Sequence, residues 1–142
     1  MSEYTAPDLS LFGEEHVRRY QETNGEIGYE WNGVPILLLT TTGRKTGESR
    51  TAPLIFGRDG ERYIVVASKG GMPEHPLWYR NLVEHPTVKV QIKDEHFTAR
   101  ARTAEGDERE RDWDLMAAQW PNYNVYTQRT TRVIPVVVLE RV

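Results

Sequence analysis

Arg50-Thr51-Ala52-Pro53-Leu54-Ile55-Phe56-Gly57-Arg58-Asp59-Gly60-Glu61-Arg62-Tyr63-Ile64-Val65-Val66-Ala67-Ser68 is the stretch that decides the fold. Asp59-Gly60 lies between two strand-forming runs, and such a pair tolerates the positive φ that a tight hairpin turn demands. Two antiparallel strands are read here, Arg50 to Arg58 and Arg62 to Ser68. Ile64-Val65-Val66-Ala67 carries no polar side chain, so the second strand is expected to be buried on both faces.

Working outward, Val34 to Thr41 reads as a strand. Val88 to Ile92 and Phe97 to Arg102 are alternating strands turning at Lys93-Asp94-Glu95, and Val133 to Glu140 is a last strand in which Pro135 implies an edge or a bulge. A first helix is predicted from Leu9 to Thr23, with Phe12, His16 or Val17, and Tyr20 on one face and Asn24-Gly25 as its stop. A short helix follows Pro76, with Leu77, Trp78 and Leu82 as its apolar stripe, and ends at His85-Pro86. Asp107 to Gln119 is the third helix, with Asp107 and Glu110 as a capping box. Six mostly hairpin-linked strands with about three flanking helices predict a mainly β, α+β protein built on an antiparallel barrel, closed or partly split. Residues 1–30 are read as a tail and helix and 31–142 as the barrel, within a single domain.

The chain has 142 residues, 18 Lys and Arg against 21 Asp and Glu, and a net charge of −3. A duplex-binding domain carries a basic excess, so no nucleic-acid partner is expected. The absence of cysteine removes disulfides, thiolate catalysis and cysteine zinc sites. His16, His75, His85 and His96 lack metal-ligand spacing; each is expected at the surface or half-buried, and no metal is expected. No secretory leader or membrane-length apolar run is visible, which makes a cytoplasmic protein the default. Residues 8–20 leave room for peripheral contact with a membrane's inner face, although docking on the barrel is the preferred use of that apolar side.

Between the first two strands, Thr40 to Arg50 combines Arg44, Lys45 and Arg50 with hydroxyls and with Gly43 and Gly47. These are the parts of an anion site: charge, forked donors and convergent amides. The same residues also read as a solvated hairpin tip. The loop is not a Walker motif, no G-x-G-x-x-G occurs, and neither Ser49 nor Ser68 sits in a nucleophile elbow. Three further segments draw notice. Ala67-Ser68-Lys69-Gly70-Gly71 leaves a buried strand with a hydroxyl, a cation and two glycines. Pro76 to Leu82 carries Trp78 and Asn81, and Trp120 to Tyr126 carries three aromatics at three-residue spacing. For Trp120, packing against the barrel is the preferred reading.

Taken together, L-L-L-T-T-T-G-R-K-T-G-E-S-R-T-A-P-L, V-V-A-S-K-G-G, H-P-L-W-Y-R-N-L, H-P-T-V-K-V-Q-I and P-N-Y-N-V-Y-T-Q-R-T-T-R-V-I-P-V-V-V-L resemble the deazaflavin-dependent nitroreductase family, from about residue 30 onward. The resemblance implies a six-stranded split β-barrel of the FMN-binding type. It also implies coenzyme F420, an 8-hydroxy-5-deazaflavin with a phosphodiester and glutamate tail, with FMN as the alternative cofactor. Arg44, Lys45, Thr46, Gly47 and Arg50 would then hold the anionic tail. Ala52 and Pro53 would lie along the ring, Ser68, Lys69 and Gly70 would meet its polar edge, and Leu77, Trp78 and Asn81 would complete the cofactor site. Tyr126, Ser68 and Tyr123 would serve on the catalytic side. The implied reaction is hydride transfer to an electron-poor small molecule such as a quinone, an enone or a nitroaromatic. A non-catalytic carrier is the alternative, and a monomer or a homodimer is expected.

Overall fold

The computed structural model describes residues 3–142. The chain runs through α1 (Gly13–Thr23), β1 (Glu30–Trp31), β2 (Val34–Thr42), β3 (Ser49–Ile55), β4 (Gly57–Asp59), β5 (Arg62–Val66), a 3-10 turn (Lys69–Gly71), α2 (Leu77–Glu84), β6 (Thr87–Ile92), β7 (Glu95–Thr103), α3 (Gly106–Gln119), α4 (Asn122–Tyr126) and β8 (Val136–Arg141). Every strand pairing is antiparallel. From β3 the sheet passes through β2, β6, β7, β8 and β5 to β4, while β1 also pairs with β2. The sheet curls into the expected split barrel, with eight strands in place of six.

The extra strands have identifiable causes. Glu30–Trp31 adds a short rung against Val34–Pro35. The expected strand from Arg50 to Arg58 divides at Phe56: β3 pairs with β2, whereas β4 pairs with β5. At the break, Phe56 N–H donates to Pro35 O at 3.1 Å and Gln119 Nε2 donates to Phe56 O at 2.8 Å. Both backbone groups are thus satisfied where no ladder serves them.

Alternation places the core. Leu37, Leu39, Tyr63, Val65, Val137 and Leu139 meet Val88, Val90, Phe97 and Phe56 inside the barrel. Their neighbours face outward and are covered by helices: Ile36 and Leu38 pack with Tyr20 of α1, and Ile64, Val66, Val136 and Val138 pack with Met116, Tyr123 and Tyr126. This two-sided burial is why β5 and β8 read as unbroken apolar runs. Tyr20 also pins α1, donating to Ile36 O at 3.0 Å and accepting from Lys93 N–H at 2.8 Å.

Several boundaries differ from expectation. α1 begins at Gly13 instead of Leu9, because residues 3–12 run without regular structure. Glu105, not Asp107, precedes α3, and no side chain caps it, so the capping box does not form. Pro135 ends a connection, not a strand interior; its carbonyl accepts from Ala67 N–H at 2.9 Å and β8 starts one residue later. A fourth helix, α4, forms within the aromatic connection.

Asp112 on α3 is fully buried, and neither carboxyl oxygen has a hydrogen-bond partner among the described residues. Burial first, and then the Asp59 carboxyl beside it, push Asp112 up to about 6. Asp59 moves down, through the Asp112 carboxyl beside it and the hydrogen bond from Arg111 Nε at 2.9 Å. A raised carboxyl stabilises the fold most below its unfolded value, and that contribution is lost as the pH climbs through about 6. Asp59, being depressed, loses its contribution only as the pH falls below its ordinary value. Asp112→Asn should therefore raise the thermal midpoint at pH 7.5 by roughly 3–6 °C and leave that at pH 4.5 little changed. Melting curves at the two pH values check this.

Candidate functional site

The barrel fails to close between β3 and β5, and a cavity of about 570 Å³ occupies the opening. β3 supplies Ala52, Pro53, Leu54 and Ile55; the end of β5 and the turn after it supply Val66, Ser68, Lys69 and Gly70. Trp78 of α2 and Trp120, Tyr123 and Tyr126 around α4 add aromatic walls. The lining is mainly apolar with few polar groups, as befits a site for a planar organic ligand.

The structure thus brings together Ala52, Pro53, Ser68, Lys69, Gly70, Trp78, Tyr123 and Tyr126. Arg44, Lys45, Thr46, Gly47 and Arg50 stand apart from the lining, at the tip of the β2–β3 hairpin and its first residues. Gly43 N–H donates to Glu48 O at 2.7 Å, Gly47 N–H donates to Gly43 O at 2.9 Å, and Gly47 has φ +75°. The side chains of Lys45 and Arg50 are exposed. Arg44 is partly sheltered, with Glu84 at 3.8 Å. Leu77 points to solvent at 63% exposure and does not line the cavity. Asn81 is buried behind the loop, where Oδ1 accepts from Arg44 N–H at 3.1 Å and Nδ2 donates to Thr41 Oγ1 at 3.2 Å. Its place is that of a strut holding the loop's base.

The turn after β5 is shaped by close packing. Lys69, Gly70 and Gly71 all have positive φ, and a Cβ at Gly71 would meet Tyr126 O at 2.8 Å. Ser68 is nearly buried. Tyr123 is buried as well, and desolvation, followed by the Tyr126 phenol beside it, pushes its phenol well above the usual range. Tyr126 lies between Tyr4 and Tyr123, with ring centroids at 6.4 and 6.1 Å, and Arg129 over its face at 5.4 Å.

Three contributors escaped the sequence reading. His16 is 2% exposed, contrary to the surface or half-buried expectation, and hydrogen-bonds through Nε2 to Gly28 O at 2.8 Å. It borders the cavity beside Trp31, whose ring packs against that of Trp120 at 5.6 Å with a 38° tilt, so Trp120 both packs and lines. Residues 3–12 lie along the rim as a strap, contributing Tyr4, Pro7, Leu9 and Phe12. Asn122 Nδ2 donates to Thr5 O at 2.7 Å and its Oδ1 accepts from Thr5 N–H at 3.0 Å. Asn32 makes the same paired contact with Asp8 at 2.8 and 3.0 Å, and Trp31 Nε1 donates to Leu11 O at 2.8 Å. Asparagine in a connection carries no periodic signal, so nothing in the sequence marked these fasteners.

Among the described residues, no group of three or more His, Asp or Glu converges as a metal site, and no helix is long and apolar enough to cross a membrane.

A split antiparallel barrel with an aromatic-walled cleft at the split and a cationic hairpin beside it has the shape and charge that a planar ligand with an anionic tail would need. The chain belongs to the F420H(2)-dependent quinone reductase family, whose model matches residues 12–141. An F420H(2)-dependent quinone reductase of Mycobacterium tuberculosis is 42% identical over 130 residues, covering 89% of this chain and 87% of its own. The solved structure of an F420-H2 dependent reductase, FDR-A, is 46% identical and covers 75% of this chain and 94% of its own, with a TM-score of 0.69. A further solved structure, a domain-swapped dimer, is 42% identical, with a TM-score of 0.72 and coverage of 89% and 95%.

Asn122→Ala removes both bonds to Thr5 and should release the strap at a cost of about 1–2 kcal/mol. Hydrogen–deuterium exchange is expected to show lost protection at Thr5 with the barrel strands unchanged.

Proposed function

We propose that this protein binds reduced coenzyme F420 in the split of the barrel and reduces a quinone there. The observation that carries the reading is the aromatic-walled cleft between β3 and β5, found in a chain of the F420H(2)-dependent quinone reductase family. The cavity suits the group. Its volume admits a tricyclic ring, its apolar walls exclude water, and the turn at Ser68–Gly70 offers polar atoms at one edge.

When bound, the coenzyme supplies the hydride; the protein contributes orientation and a dry site. Ala52, Pro53 and Trp78 would flank the ring, and Ser68, Lys69 and Gly70 would meet its polar edge. Lys45, Arg50 and Arg44 would hold the anionic tail, with Thr46 and Gly47 shaping the loop and Asn81 bracing it. Leu77 would cover the ring only from outside the cavity. The acceptor would enter under the strap, between Tyr126, Trp120 and Phe12. A proton must follow the hydride onto the reduced acceptor. Tyr126 is the first candidate donor, since no residue among those described takes its hydroxyl, and Ser68 is the second. Tyr123 holds its proton too tightly to serve well and would act as wall. A relative solved as a domain-swapped dimer supports two-fold assembly for this chain.

Reduced coenzyme F420 mixed with the protein and a quinone should be oxidised, as followed by coenzyme absorbance; NADPH and reduced FMN should not replace it. Lack of quinone-dependent oxidation would reject the reading. Within it, Tyr126→Phe should lower kcat roughly 10–100-fold with little change in coenzyme Kd. Lys45→Ala combined with Arg50→Ala should raise that Kd roughly 100-fold at low salt, with a smaller effect at high salt. Stopped-flow turnover and fluorescence titration separate the two effects.

A further inference from the structure

Around the turn that carries Ser68, Lys69 and Gly70, one cation gathers the backbone carbonyls. Arg132 donates through Nη2 to Ser68 O at 2.6 Å, through Nη1 to Ala67 O at 3.3 Å and through Nε to Met72 O at 2.8 Å. Its Nη1 also reaches His75 Nδ1 at 3.0 Å. Burial, and then the Arg132 charge, hold His75 below its ordinary value, which keeps the imidazole neutral and able to accept. Arg129 Nη1 donates to Gly70 O at 3.3 Å from the same side.

No peptide bond here is cis. A trans peptide is planar, with its N–H pointing opposite to its C=O. The Ser68 N–H shares a peptide unit with Ala67 O, and the Lys69 N–H shares one with Ser68 O. Both therefore point away from the Arg132 guanidinium. Neither finds a hydrogen-bond partner among the described residues. Ser68 and Lys69 line the cavity and Arg132 does not. The positive φ values at Lys69, Gly70 and Gly71 curl the turn so that successive amides converge.

We propose that Arg132 is a positioning residue that turns the Ser68 and Lys69 peptide groups into a polarised pair of donors, stabilising negative charge on the ring bound in the split. The proposal rests on the coenzyme reading above and names the group that tunes that site. A cation one peptide unit behind each donor strengthens its N–H and fixes its direction before any ligand arrives. The remaining charges around the turn do not supply this. Lys69 turns its ammonium to Glu74 at 3.6 Å, Arg80 acts on His75, and Arg129 serves Gly70 O, so Arg132 is the charge on the Ala67 and Ser68 carbonyls, the latter also accepting Gly71 N–H at 2.9 Å.

The oxidised coenzyme carries an acidic 8-hydroxyl whose anion is delocalised over the conjugated ring, so its ionisation reports the stabilisation without turnover. The test is an absorbance titration of the oxidised coenzyme bound to the wild type, Arg132→Gln and Arg132→Lys. The ionisation midpoint is expected to lie about one pH unit higher in Arg132→Gln than in the wild type. Arg132→Lys, which keeps the charge and loses the fork, should recover at least half of that shift. An Arg132→Gln protein that binds the coenzyme and titrates like the wild type overturns the proposal, while leaving the coenzyme site standing. A wild type that fails to bind the coenzyme rejects the underlying reading, and the proposal with it. Should the variants not fold, amide NMR of the wild type decides: the Ser68 and Lys69 protons should move downfield when oxidised coenzyme is added. If they stay put while other cavity amides shift, the proposal is overturned.

Discussion

Phe56 joins the two ends of the sheet. β3 sits at one end of the hydrogen-bonded order and β4 at the other, yet a single residue separates them in the chain. The barrel is therefore closed at that point by the backbone itself and not by a ladder. A backbone that leaves β2 to join β5 must splay the strands on either side of the switch. On the β3 side this leaves Ala52 to Ile55 facing Val66 and Ser68 across a gap with no main-chain hydrogen bonds between them. The cavity is the geometric consequence. It persists because the switch is held: Phe56 is buried in the barrel core, and its N–H and C=O bond to Pro35 and Gln119.

Irregular segments form the remaining walls, and polar side chains fasten them. Arg132 holds the turn after β5, Asn81 holds the base of the basic loop, and Asn122 and Asn32 hold the strap. Each satisfies backbone groups that neither helix nor ladder serves, which hydrophobic packing cannot do because it lacks direction. The framework is thus apolar in origin, whereas the site's contours are set by a few hydrogen-bonding side chains.

The division between what was legible and what was not follows the same line. The Ile64–Ala67 run announced two-sided burial, and Val65 indeed faces the barrel core while Ile64 and Val66 pack beneath the helices. The Asp59-Gly60 turn was read correctly because its signal is local. The bend at Phe56 was not, since a change of partner in mid-strand, from β2 to β5, is set by tertiary pairing and leaves no local mark. The turn and the α4 aromatics drew notice from their own residues, whereas Ala52 and Pro53 on β3 were visible only through resemblance, because they have no chemistry of their own. Leu77 was misplaced by its helical stripe: α2 is short, and its buried face is set by Asn81 and Leu82 instead. His16 stood as an alternative to Val17 on the face of α1 that carries Tyr20, yet its burial was underrated because a lone histidine is more often partly exposed.

The separation of the basic loop from the cavity constrains what the site can hold. Arg50 and Pro53 are three residues apart on one extended strand, a span of roughly 10 Å. A compact ligand confined to the cleft would leave Lys45 and Arg50 in open solvent, where water screens their charge. An elongated ligand, with a flat head in the split and an anionic chain following β3 outward, meets both regions at once. The two ends then act differently. At the exposed loop, attraction to the chain steers capture and fades with salt, while in the apolar cleft small dipoles count for more because little water competes. For such a ligand, affinity can reside in the tail and reactivity in the ring, so a loop that varies in charge can retune binding without disturbing the chemistry proposed at Ser68 and Tyr126.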